Sequence, residues 1–102
     1  MFVDFKENEV VIKAGDTEHL FESEKIKGKL IITNQRIYFR TLDEKIEKFN
    51  FEIMPEEICE VHYFNQKKFF PTGLEVITKD GEHLKFTLKK RNSWGELINK
   101  MY

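Results

Sequence analysis

Residues 28–42 read Gly-Lys-Leu-Ile-Ile-Thr-Asn-Gln-Arg-Ile-Tyr-Phe-Arg-Thr-Leu, two runs rich in β-branched and aromatic residues on either side of Asn34-Gln35. That is the pattern of a β-hairpin. With the turn at Asn34-Gln35, a two- or a four-residue loop gives the same pairing: Ile32 with Ile37, Leu30 with Phe39 and Gly28 with Thr41. One face then carries Gly28, Leu30, Ile32, Ile37, Phe39 and Thr41 and belongs in a core. The other carries Lys27, Lys29, Thr33, Arg36 and Arg40, with Ile31 and Tyr38 among them. A slip of one residue would exchange the faces, so the pattern specifies the register.

A second hairpin follows from residues 73–79 and 82–89. A two-residue Asp80-Gly81 loop would put Leu74 and Val76 on the face opposite to Leu84 and Phe86. A three-residue loop, Lys79-Asp80-Gly81, instead pairs Thr78 with Glu82, Val76 with Leu84 and Leu74 with Phe86, and sets Glu75 across from Lys85. It requires a type I turn with Gly81 left-handed in a bulge.

Around these hairpins, Ala14-Gly15-Asp16 reads as a turn and residues 18–22 as a first strand, with Ser23-Glu24-Lys25 as the link onward. Ile46, Phe49, Phe51 and Ile53 suggest a fourth strand, irregular at its start and ended by Met54-Pro55. Residues 65–72 form the longest irregular connection. Its Lys67, Lys68, Phe69 and Phe70 make a partner- or membrane-seeking tip, or Phe69 and Phe70 fold back to cap the barrel. Near the end, Ser93 with Glu96 reads as a capping box. Trp94, Leu97, Ile98 and Met101 then recur at helical spacing, predicting a helix over residues 93–101.

The segment Gly28-Lys29-Leu30-Ile31-Ile32-Thr33-Asn34-Gln35-Arg36-Ile37-Tyr38-Phe39 resembles the hairpin signature of bacterial GRAM domains, small relatives of the pleckstrin-homology superfold. Pro55-Glu56-Glu57-Ile58 with Val61 resembles that family's turn into strand five, and Trp94 soon after Arg91 resembles the start of its closing helix. The resemblance spans nearly the whole chain and implies one domain over residues 1–102. Its fold would be mainly β: a bent antiparallel barrel of seven strands capped by a C-terminal α-helix. It also implies a binding module for phosphoinositide, other lipid or protein. In pleckstrin-homology relatives, basic residues around the first inter-strand loop and second strand hold inositol phosphates. Lys25, Lys27 and Lys29 occupy the comparable stretch here, with lysine where arginine is usual and so without its bidentate fork.

A chain of 102 residues can bury about two-thirds of the surface its unfolded form exposes, without staples. Cys59 is the only cysteine, so no internal disulfide forms. Cys59-x-x-His62 lacks a second metal-ligand pair, and His19 and His83 do not supply one. No apolar run reaches membrane-span length and no signal peptide is recognisable. The expected location is cytoplasmic, with peripheral attachment to the inner face of a membrane as the alternative.

The net charge of −1 argues against nucleic acid as a partner, but it hides a segregation. Residues 1–24 hold seven acids and two bases, residues 25–40 five bases and no acid, and residues 41–60 seven acids and two bases. The first hairpin is therefore a basic block between acidic ones.

No nucleophile–base pair, phosphate loop or cofactor motif is visible, so neither an enzyme nor a cofactor is expected. The derived register sets Lys29 opposite Arg40 on the outer hairpin face, with Lys27 beside them. Like charges directly opposed are destabilising unless an anion compensates. Candidates for that anion are a lipid phosphate, an acidic partner, or the chain's own Glu22 or Glu24. Two readings stand. In the first, the domain binds a protein partner or itself through Ile31 and Tyr38 or through Lys67, Lys68, Phe69 and Phe70. In the second, Lys25, Lys27, Lys29 and Arg40 bind anionic lipid, a phosphoinositide or phosphatidylserine.

Overall fold

The computed structural model describes residues 5–22, 24–65 and 72–102. Seven strands run β1 (Val11–Phe21), β2 (Glu24–Thr33), β3 (Ile37–Thr41), β4 (Phe51–Ile53), β5 (Ile58–Phe64), β6 (Gly73–Thr78) and β7 (His83–Thr87), followed by α1 (Arg91–Asn99). They form one sheet in the order β4-β3-β2-β1-β7-β6-β5, with every neighbouring pair antiparallel. The fold is the mainly β, helix-capped architecture that the resemblance implies.

Both hairpins take the derived registers. Gly28 faces Thr41, Leu30 faces Phe39 and Ile32 faces Ile37. At the turn the Thr33 amide donates to the Arg36 carbonyl at 2.9 Å, and the Thr33 hydroxyl accepts the amides of Gln35 and Arg36. In the second hairpin Val76 faces Leu84, Leu74 faces Phe86 and Glu75 faces Lys85. Gly81 has φ +91° and donates its amide to the Thr78 carbonyl. The inward residues Ile26, Leu30, Ile32, Phe39, Leu74, Val76 and Phe86 join Trp94 and Ile98 of α1 in one core.

Three local expectations are corrected. Ala14-Gly15-Asp16 is not a turn: β1 runs through it, paired with Ile31, Leu30 and Lys29 of β2. Extended backbone at Gly15 lets the Trp94 ring lie against it, where an added Cβ would sit 2.9 Å from that ring. The segment before β4 is not strand but irregular 3-10 turns over Glu44–Phe49, and only Phe51–Ile53 pair with β3. The helix starts two residues before the expected capping box, at Arg91 after a left-handed Lys90. The Arg91 guanidinium donates to the carbonyls of Phe64 and Gly73, at the ends of β5 and β6. That anchors the first turn without the Ser93 hydroxyl.

β1 pairs with β2 along its length but with β7 only over Glu18–Leu20. The first half of β1 therefore leaves β7, and α1 fills the corner through Trp94. This geometry leaves the opposite end, where the β6–β7 turn meets the start of β4, uncovered by the helix.

Candidate functional site

The basic row lies on the outer face of β2, where Lys25, Lys27 and Lys29 are exposed and Arg40 of β3 faces Lys29. Alternation places them about 6.6 Å apart along the strand. On the other flank, β1 sets Asp16 opposite Lys29 and Glu18 opposite Lys27. Directly opposed residues on one face have Cβ atoms about 5 Å apart, so Lys27 and Lys29 each have a carboxylate within reach, although no ion pair of theirs closes within 4.0 Å among the described residues. The register thus places two acids opposite the row, Asp16 and Glu18, in addition to the Glu22 and Glu24 that lie near Lys25 in the chain. Lys25 faces Leu20 and has no acid opposite.

Tyr38 is not an open contact residue. It is only 7% exposed, because residues 5–10 cross the outer face of the first hairpin. The Phe5 ring meets Tyr38 edge-on at 6.4 Å, and the Arg36 guanidinium lies 4.1 Å above its ring. Glu9 fastens this crossing: its carboxylate takes Arg36 Nε at 2.9 Å and Nη2 at 2.8 Å, and the Thr33 hydroxyl at 2.6 Å. Asn34 adds a bond in each direction with Val10 and one to the Asn8 carbonyl. Burial pushes the Glu9 carboxyl up, but the bonds from Thr33, the Lys6 amide and Arg36 outweigh it and hold it below the usual carboxylate value. Ile31 is half-buried. Lys67, Lys68, Phe69 and Phe70 lie outside the described residues.

Two of the open cavities among the described residues flank the sheet. One, of about 700 Å³, runs between β1 and Trp94, and of the basic row only Lys27 reaches it. The other, of about 640 Å³, occupies the end of the sheet away from the helix, between the close of β1, the 3-10 segment and the β6–β7 turn. His19 lies on its wall, 4% exposed, with the rings of Phe39, Phe51 and Phe86 at 5.1–5.3 Å. Its Nδ1 sits 3.0 Å from the Lys85 carbonyl. A carbonyl only accepts, so Nδ1 carries the proton. Burial lowers the pKa of His19, against the Lys85 bond that raises it. The strand pattern identified His19 only as a strand residue; its ring environment comes from four strands.

Among the described residues no group of His, Cys, Asp or Glu is placed to hold a metal, and no helix is long and apolar enough to cross a membrane. A seven-stranded antiparallel sheet closed by a C-terminal helix over Trp94 defines a pleckstrin-homology-like domain. The chain matches the GRAM domain family over residues 1–102 and belongs to it.

Solved structures agree on the fold. The C-terminal domain of an unknown protein from Leishmania infantum is similar with a TM-score of 0.77 at 20% identity, over 93% of this chain and 86% of that one. The Vps36 N-terminal PH domain gives 0.72 at 17% identity, over 95% and 81%. The Slm1 PH domain in complex with inositol-4-phosphate gives 0.68 at 18% identity, over 89% and 96%. No curated protein matches the chain significantly.

Proposed function

We propose that this GRAM domain is a non-enzymatic module for protein interaction. The observation that carries the reading is the register of β1 on β2, which sets Glu18 and Asp16 directly beside Lys27 and Lys29. A basic row flanked this way loses much of its pull on a negative surface, since each acid cancels a lysine within a screening length. The exposed Val10, with Val11 and Ile12 at the start of β1, offers apolar contact area to a partner.

Anionic lipid is the second reading, favoured by Lys25, which has no acid opposite, and by the like-charged Lys29–Arg40 pair. The Slm1 PH domain, solved with inositol-4-phosphate and with phosphoserine, makes such a ligand chemically reasonable for the fold.

Co-sedimentation with vesicles rich in phosphatidylserine or phosphoinositide at low salt, combined with melting of Lys27→Ala/Lys29→Ala, decides between them. The interaction reading expects no retention and a double variant that melts lower, because Asp16 and Glu18 lose their neighbours. Retention of the wild type, abolished in the double variant with melting unchanged or raised, would overturn it.

A further inference from the structure

We propose that the cavity at the helix-free end of the sheet receives a lysine or arginine side chain from a partner protein. This gives the interaction reading its partner chemistry and rests on it. Three features of the cavity converge.

At its wall His19 presents an acceptor. With Nδ1–H committed to the Lys85 carbonyl, the neutral ring leaves a lone pair on Nε2. Nε2 has no partner among the described residues. No fully buried side-chain nitrogen or oxygen there lacks one, so Nε2 is not sealed in and meets the cavity that His19 lines. An acceptor in aromatic surroundings gains from an N–H donor and repels an anion.

Around the mouth, the lining carries the carboxylates of Glu52, Glu57, Asp80 and Glu82 against the single ammonium of Lys48. Arg36 holds Glu52 at 2.6 Å, Asp80 accepts the Thr78 hydroxyl and Glu57 accepts the Met54 amide. The Arg36 guanidinium offsets Glu52, whereas the neutral donors leave the charges of Asp80 and Glu57 in place, and the Glu82 side chain is in no ion pair or hydrogen bond among the described residues. The mouth therefore attracts cations.

The same lining includes Phe21, Phe49 and Phe51, aromatic rings of the kind that suit both an apolar stem and a cation. Lys48 already demonstrates the second property, its ammonium lying 5.3 Å over the Phe49 ring. A long basic side chain matches all three: stem on the rings, charge among the carboxylates, N–H toward Nε2. A volume of about 640 Å³ also leaves room for the peptide that bears it.

The test is an NMR titration of the labelled chain, read at His19 Nε2, with the blocked tripeptides Gly-Lys-Gly and Gly-Arg-Gly. Gly-norleucine-Gly and Gly-Glu-Gly serve as controls. A saturable Nε2 shift is expected with the basic peptides alone. Glu82→Lys should weaken it about fivefold, and Lys48→Met, which removes the resident cation, should strengthen it. Absence of a saturable shift, an equal shift with norleucine, or indifference to Glu82→Lys would overturn the proposal. Vesicle retention would instead overturn the interaction reading and leave a His19 shift standing, so the two failures are separable.

Discussion

Arg36 and Glu9 lie twenty-seven positions apart in the chain, yet form a two-pronged ion pair at 2.8 and 2.9 Å, with the Glu9 side chain wholly covered and that of Arg36 only 7% exposed. The pair rivets the N-terminal crossing to the turn of the first hairpin and converts the outer face of Tyr38 into an inner one. Arg36→Met would leave Glu9 with a buried charge and no cation. Breaking one partner of a buried pair costs on the order of 3 kcal/mol. Denaturant unfolding checks this, and a loss below 1 kcal/mol would mean that the crossing is not held there.

The same pair sets an acid limit. Glu9 has a lowered pKa in the folded state, so its contribution is complete above the ordinary value of 4.5 and drains away as pH falls from there through the folded value. Glu9→Gln should flatten the fall in melting temperature below pH 4.5. An acid limb identical to that of the wild type would assign acid lability to other groups.

His19 acts at higher pH. Its folded pKa lies below the usual 6.5, so between that lowered value and 6.5 the unfolded chain binds the proton first. Stability then rises with pH through the window. His19→Asn, which keeps a donor for the Lys85 carbonyl, should remove that slope. Melting curves across the window measure it, and an unchanged slope would exclude His19 as its source.

Trp94 is 4% exposed between Gly15 and the core, with the Lys13 ammonium 5.2 Å from its ring. Trp94→Ala should cost about 3–5 kcal/mol. A cost under 1 kcal/mol would show that α1 does not close the sheet.

Two glycines should respond differently to alanine. Gly81 has positive φ and open space around an added Cβ, so only backbone strain opposes Gly81→Ala, about 1–2 kcal/mol. At Gly28 a Cβ would overlap the Arg40 carbonyl oxygen and lie 2.8 Å from the Phe39 ring. The strand backbone cannot swing aside, so Gly28→Ala should be the costlier. The reverse order in paired unfolding measurements would contradict the packing at the β2–β3 pair.

The sequence by itself determined both hairpin registers, the inward faces of β2, β3, β6 and β7, and the helical stripe under Trp94. These are local: a period of two or of 3.6 with nearby turn chemistry admits one solution once an apolar face must be buried. Ala14-Gly15-Asp16 and the segment before β4 depart from the local pattern because turn-favouring residues and apolar spacing do not report what packs against them. Only the tertiary structure decided which carboxylates flank the lysines, since Asp16 and Glu18 reach Lys29 and Lys27 through the placement of β1 beside β2. It also decided that Glu9 covers Tyr38 and that His19 opens onto an acid-rimmed cavity. Each of those relationships joins residues distant in the chain, and electrostatic and hydrogen-bond partners have no sequence period to announce them.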